Sequence, residues 1–260
     1  MKKERMTKNN PLFTSSIIPH GNGKLLDYDD TESGISYRYA QFNTRAIADC
    51  PFRSAGCESV CYATKGNHQF PSVRESRSRS YEVSKQEDFP IRIEYTVRYH
   101  MNTKRYKGTV MIIRIHESGD FYSLQYLRKW LQIWKNLEGE SVLFVFYTKS
   151  FPFFLMLTEE EKEIIRRMMR AGQLSMNLSI DDTTTAEQIE NYLRMIKEYP
   201  LANTYRVTEK VSASDDKCDC ENCAKCGACN KAQGNEKVVE IHSASNDDIK
   251  NYRKNKRSGK

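Results

Sequence analysis

From residue 109 onward the apolar positions alternate between short continuous runs and longer helical stripes. Thr109–Ile115 is β-branched and almost unbroken in apolar character, as a strand buried on both faces must be. Tyr122–Leu137 then places Leu124, Leu127, Leu131 and Trp134 at helical spacing, with Trp130 beside them. Val142–Tyr147 is a second buried strand. Thr158-Glu159-Glu160-Glu161 is a capping-box start to a helix that ends at Gly172. Leu174–Ile180 is a third strand, and the amphipathic stretch Thr185–Tyr199 is closed by Pro200. Thr204–Thr208 and Val238–Ile241 complete the series. Upstream, Gly21-Asn22-Gly23 reads as a turn and Gly34–Ala40 as a short strand. The polar stretch 72–106 reads as one or two helices interrupted near Pro90.

Strand and helix alternating at this spacing predict βα units and a mainly parallel sheet, hence an α/β fold. We expect a barrel or partial barrel rather than an open sheet. No internal repeat is evident beyond the alternation. The expected organisation is a disordered N-terminus (1–20), a βα core (21–212), a cysteine-rich insert (213–236), a last strand with its connection (237–248) and a basic disordered tail (249–260). In such folds chemistry gathers where strands end. His116-Glu117-Ser118-Gly119-Asp120 directly follows one strand, and Lys149 follows the next. Alternation turns Asn177, Ser179 and Asp181 to one face, where polar groups are costly without a partner. Arg206, Thr208 and Glu209 close the series. For Ser118 and Asp120 the competing reading is a cap on the helix that starts near Tyr122.

Composition narrows the setting. The chain is 38% hydrophobic and 29% charged, and it contains no run of about 18 apolar residues, so no membrane span is expected. The start, Met-Lys-Lys-Glu-Arg-Met-Thr-Lys, lacks the apolar stretch of a secretory signal, so a cytoplasmic location is expected. In a reducing compartment clustered cysteines bind metal more often than they form disulfides. The net charge of +7 is partly local, because Lys250, Arg253, Lys254, Lys256, Arg257 and Lys260 follow one another without an acid. Such a tail suits contact with nucleic-acid phosphates.

The eight cysteines form two groups. Cys50, Cys57 and Cys61 provide three thiolates, one short of a closed zinc site unless His68 joins as a fourth ligand. Three thiolates suit a [4Fe–4S] cluster with one open iron, the arrangement of a reactive cluster rather than an electron carrier. Cys218, Cys220, Cys223, Cys226 and Cys229 offer five thiolates. Cys223-x2-Cys226-x2-Cys229 has ferredoxin-like spacing, with Cys218 or Cys220 as fourth ligand. Tetrahedral zinc is the alternative to a second [4Fe–4S] cluster there.

Cys50-x6-Cys57-x3-Cys61-Tyr62-Ala63, the later Arg114–Ser123 stretch and the terminal Cys-x2-Cys-x2-Cys run together resemble the phage Gene product 88 family, from about residue 40 to 230. That family is itself similar to radical-SAM proteins, whose cluster loop also ends in Cys-Tyr-Ala. The resemblance implies a partial (β/α) barrel of radical-SAM type. It further implies an open-iron cluster at Cys50, Cys57 and Cys61, and S-adenosylmethionine cleaved reductively to a 5′-deoxyadenosyl radical. Glu117, Ser118 and Asp120 would hold the SAM amino group, with Gly119 permitting close backbone approach and His116 and Lys149 as polar or acid–base groups. Asn177, Ser179, Asp181 and Arg206 would line the cofactor site. The substrate would be a nucleotide, nucleic acid or peptide, and the electron donor a flavodoxin or ferredoxin. The usual radical-SAM spacing is Cys-x3-Cys-x2-Cys, so the loop here is longer. The alternative is a non-catalytic, metal-stapled protein that binds nucleic acid through its tail.

Overall fold

The computed structural model describes residues 6–19, 27–212, 215, 217–218, 228–241 and 244–258. Its centre is one eight-stranded sheet: β1 (Ile18–Pro19), β2 (Tyr28–Asp30), β3 (Ile35–Phe42), β4 (Val110–Ile115), β5 (Val142–Thr148), β6 (Leu174–Asp181), β7 (Asn203–Thr208) and β8 (Glu236–Glu240). From β3 to β8 every neighbour is parallel and the spatial order equals the chain order. β1 and β2 pair antiparallel with β3. Among the described residues β1 and β8 do not pair, so the sheet is not closed into a barrel.

The helices follow the sequence rhythm. α1 (Ala55–Ser59) lies in the first cysteine loop, and α2 (Pro71–Lys85) and α3 (Phe89–Met101) come before β4. Pro90 sits in the first turn of α3, where its missing N–H costs nothing, so the proline starts a helix instead of breaking one. α4 (Leu124–Asn136), α5 (Phe151–Leu155), α6 (Glu159–Arg170) and α7 (Ala186–Glu198) follow β4, β5 and β6. The Thr158–Glu161 capping box forms in both directions, and Thr185 with Gln188 makes a second one.

Strand alternation divides the molecule. Met111, Ile113 and Ile115 of β4, Phe144 and Phe146 of β5, and Leu174, Met176 and Leu178 of β6 pack with the helices in one large core. Trp130 and Trp134 of α4 are fully buried in it. Truncating either to alanine would cost about 3–5 kcal/mol. The opposite face has only a small apolar cluster of Tyr39, Ile112, Leu143 and Val145, and beyond it the lining is polar. Ser175, Asn177 and Asp181 are buried there.

Both chain ends differ from expectation. In the N-terminal segment read as disordered, Thr14 N–H donates to Thr96 Oγ1 at 2.9 Å and Ile17 is buried. The basic tail forms a helix, α8 (Asn246–Ser258). Its side chains 248, 252, 255 and 256 share one helical face, and that face is anchored: Tyr252 is fully buried, and Asn255 Nδ2 donates to Ala55 O at 3.1 Å. Polar anchors replace the apolar stripe that would have marked a helix in the sequence. The turn at Gly21-Asn22-Gly23 lies outside the described residues. In the insert, the described residues show a bridge from Lys217 to Val238 and a 3₁₀ turn at Ala228–Asn230.

Candidate functional site

The first cysteine loop leaves the end of β3; its Cys50 and Cys61 sides are tied to the segment that follows β4, and its Cys57 side to the end of β6. On the Cys50 side, Asp120 N–H donates to Asp49 O at 3.0 Å, while Arg45 clasps the Asp49 carboxylate at 2.6 Å. Asn43 Oδ1 accepts from the N–H groups of Glu117 (2.8 Å) and Ser118 (3.2 Å), and Ser118 Oγ donates to Thr44 O. Gly119 has φ +89°, and a Cβ there would collide with Thr44 Oγ1, so only glycine lets the two loops touch.

On the Cys57 side, Ser54 caps α1 by accepting from Cys57 N–H at 3.2 Å and donates its hydroxyl to Asp181. Gly56 N–H donates to Thr183 Oγ1 at 2.7 Å, and that hydroxyl donates to Asp181 at 2.6 Å. A Cβ on Gly56 would lie 2.6 Å from both Thr183 and Tyr252, which shows how tightly α1 is pressed onto β6 and α8. On the Cys61 side, Tyr62 hydroxyl donates to Glu117 O at 2.5 Å and Arg77 donates to Ala63 O at 2.9 Å.

The three thiols lie close enough for charge on Cys57 and Cys61 to oppose ionisation of Cys50. Burial is the larger cause and raises all three. Cys57 is pushed up to about 11, against the pull of the Lys149 ammonium. The N–H groups of Ala63 and Thr64 and the Lys65 charge favour the Cys61 thiolate. Metal ligation would therefore release protons. Among the described residues no three His, Cys, Asp or Glu side chains crowd one point closely enough to share a single metal ion. A cubane makes a looser demand, because each thiolate binds its own iron.

His68 is not offered as a fourth ligand. Its Nδ1 meets Arg77 Nη2 at 2.7 Å, and a guanidinium can only donate, so Nδ1 accepts and Nε2 carries the proton.

Most of the strand-end residues expected to touch a ligand instead hold the loop. Asp181 accepts from Ser54, Thr183 and Lys149 Nζ, the last at 3.0 Å. These contacts outweigh the upward push of burial and keep its carboxyl below the usual range. Asp120 accepts from Phe121 N–H, Thr148 Oγ1 and Lys149 N–H. Burial still raises its carboxyl. Lys149 Nζ also donates to Ser179 O at 3.0 Å. The helix cap is Ser123, which accepts from Tyr126 N–H, and neither Ser118 nor Asp120 fills that position.

Asn177 donates to Phe146 O and to Cys229 O, and accepts from Asn203. Arg206 turns to the other face of β7 and pairs with Asp215 at 3.1 Å. His116 has φ +63°, which turns its ring into the aromatic core against Phe42, Phe121 and Tyr126. Its Nε2 bonds Tyr126 hydroxyl at 2.8 Å, and burial lowers its pKa to about 3, so it is a neutral core histidine rather than an acid–base group at the rim.

Glu117 is the exception. It is 8% exposed, yet its Oε1 has no hydrogen-bond partner. Arg77 and Arg114 both feel its charge, and each has a buried Nε without an acceptor. Arg114 lies over the Tyr147 ring, 4.1 Å from its centroid. Sequence reading passed over Arg77, Arg114, Ser54 and Thr183. The only available signal was a lone arginine inside the apolar run of β4.

Of the late cysteines, Cys218 N–H donates to Val238 O at 2.8 Å on the open edge of β8. Cys229 lies over the polar sheet face: Ser175 Oγ donates to its carbonyl at 2.6 Å and Tyr205 hydroxyl to its Sγ at 3.1 Å. Cys220, Cys223 and Cys226 lie outside the described residues.

The profile of the Gene product 88 family matches residues 11–232. No curated protein and no solved structure matches the chain.

Proposed function

The chain belongs to the Gene product 88 family, and from that premise we propose that it is a phage-encoded iron–sulfur enzyme of radical-SAM type acting in the host cytoplasm. Cys50, Cys57 and Cys61 hold an open-iron [4Fe–4S] cluster at the C-terminal rim of a partial (β/α) barrel. When bound, the cluster supplies one-electron reduction of S-adenosylmethionine, fed by a flavodoxin- or ferredoxin-like donor. The observation that carries the reading is the buried, unpartnered Glu117 Oε1 beside the loop that carries the three thiols, whose Tyr62 hydroxyl donates to the Glu117 carbonyl.

This chain's own residues have distinct tasks. Glu117 Oε1 accepts from the ligand's amino group in a buried setting, where an unpaired carboxylate is costly. Arg77 and Arg114 bound the same space and suit a carboxylate. Asp181 and Lys149 fix the Cys57 arm. Cys218 to Cys229 hold a second [4Fe–4S] cluster or a zinc ion, with Cys229 lying against Tyr205.

Anaerobic reconstitution with iron and sulfide, followed by dithionite and SAM, tests the reading. The expected product is 5′-deoxyadenosine. A protein that takes up only zinc, or a cluster that forms without cleaving SAM, overturns it.

A further inference from the structure

α8 joins two functions on opposite faces. Asp248, Tyr252, Asn255 and Lys256 point inward. Lys65 Nζ meets Asp248 at 2.5 Å, Tyr252 hydroxyl accepts from Asp182 N–H at 3.2 Å, and Lys256 pairs with Asp182 at 2.7 Å. These contacts hold the helix to Lys65 and to the end of β6, and the Asn255–Ala55 bond fastens it to α1, the helix that carries Cys57.

The outward face holds Lys250, Arg253, Lys254 and Arg257, at spacings of three, four and seven residues. All four are exposed, and they line a groove of ≈ 550 Å³ with Ser258. Lys250 and Arg253 also meet exposed acids, Asp247 at 3.1 Å and Glu209, whereas Lys254 and Arg257 have no ion-pair partner among the described residues.

We infer that this stripe binds the phosphate backbone of a nucleic-acid strand, which makes nucleic acid the substrate class presented to the cysteine site. The inference rests on the enzyme reading only for the word substrate; the binding surface stands without it. Seven residues of helix span about 10 Å, which faces about three phosphates of one strand. Arginine and lysine together suit phosphate oxygens through forked and point-charge contacts. A membrane surface fits less well, because an interfacial helix turns its apolar residues to lipid. Here Tyr252 is buried in the fold and Ile249, the other large apolar side chain of α8, is half-buried. The stripe holds no aromatic side chain on which a base could stack, so the contact reads charge and not sequence.

The test is fluorescence anisotropy with the full chain, apo and reconstituted, and a labelled single-stranded oligonucleotide of mixed sequence between about 50 and 200 mM salt. We expect binding that weakens steeply with salt. In the triple variant Lys250→Gln/Lys254→Gln/Arg257→Gln, affinity should fall at least about tenfold and the log–log salt slope should shrink by about 2. A control variant, Arg194→Gln/Lys197→Gln on α7, should bind as the parent does. Equal affinity in the parent and the triple variant overturns the inference, as does an equal loss in the control, which would mark net charge alone. Binding to anionic phosphatidylserine vesicles but not to the oligonucleotide also overturns it. Apo protein that binds while the reconstituted protein cleaves no SAM would sink the enzyme reading and leave this surface standing.

Discussion

Two polar clusters occupy the same face of the sheet, and they are finished differently. Along β6 and β7, Ser175, Asn177 and Asn203 bond one another, the Phe146 carbonyl, and the carbonyls of Cys229 and Lys231. At the strand ends, Asp181, Asp120 and Lys149 are as fully engaged, but Glu117 beside them is not. A buried polar network that satisfies itself is a structural joint, since a ligand would have to break bonds to use it. A buried carboxylate left over at the edge of such a network is where a ligand gains most. Polarity on the sheet face therefore does not mark the site. Among the strand-end carboxylates, the unpaired Glu117 Oε1 is the one that a ligand could satisfy.

The sharpest way to break this contrast is to remove the early thiols. On the proposed reading, Cys50→Ala/Cys57→Ala/Cys61→Ala should abolish one cluster outright and leave the metal proposed for the late cysteines, as read by iron, sulfide and zinc analysis. Unchanged metal content would place the cluster elsewhere.

Acid should come next. Burial lowers His116 to about 3 and His100 to about 4, below the ordinary value of 6.5. The unfolded chain therefore takes up protons below pH 6.5 that the folded chain refuses. The stability contributed by the neutral rings is complete above 6.5 and declines as pH falls towards 4. Each group contributes a slope of up to about 1.4 kcal/mol per pH unit. Ser175, Asn177 and Asn203 have no titrating group in that range. Urea melts from pH 7 to 4.5 should show the decline, and His116→Gln should flatten it. An equal slope in the variant would remove His116 from the account.

Asp181→Asn leaves Lys149 buried without its counter-charge and should cost about 3–5 kcal/mol. Asn203→Leu breaks the lower network and should cost about 1–3 kcal/mol while leaving cluster content intact. If Asn203→Leu empties the early site as Asp181→Asn does, the two clusters are one unit and the contrast fails. The smallest stability effect belongs to Glu117→Gln, because Oε1 has no hydrogen bond to lose and Arg77 and Arg114 feel its charge without forming an ion pair with it among the described residues. Its melt should match the parent, while SAM affinity measured by calorimetry falls about 10–100-fold. A destabilised variant with unchanged affinity would mean that Glu117 is structural.

Periodicity made β4 to β7, α4, α6 and α7 legible, because a buried sheet wrapped by helices leaves few choices about where apolar residues stand. It also placed Asn177, Ser179 and Asp181 on one face, but not their partners. Whether a polar group is satisfied depends on residues far away in sequence, such as Cys229 for Asn177 and Ser54 for Asp181. His116 was misread for a local reason. Standing next to Glu117 suggested a shared role, but the positive φ at His116 rotates its ring to the opposite side of the sheet. α8 was illegible because its anchors are Asp, Asn and Lys with a single tyrosine, a composition indistinguishable from a solvated tail.

The contact between α1 and α8 sets an order of events in the cell. Asn255 reaches Ala55 across 200 residues of sequence, and Tyr252 packs against Gly56. A ribosome exposes Cys50, Cys57 and Cys61 long before it makes the helix that seats their loop. Until then the loop lacks one of its walls. Closure of the loop is thereby deferred until α8 is made, so products cut short before α8 would carry the three cysteines without the wall that seats their loop.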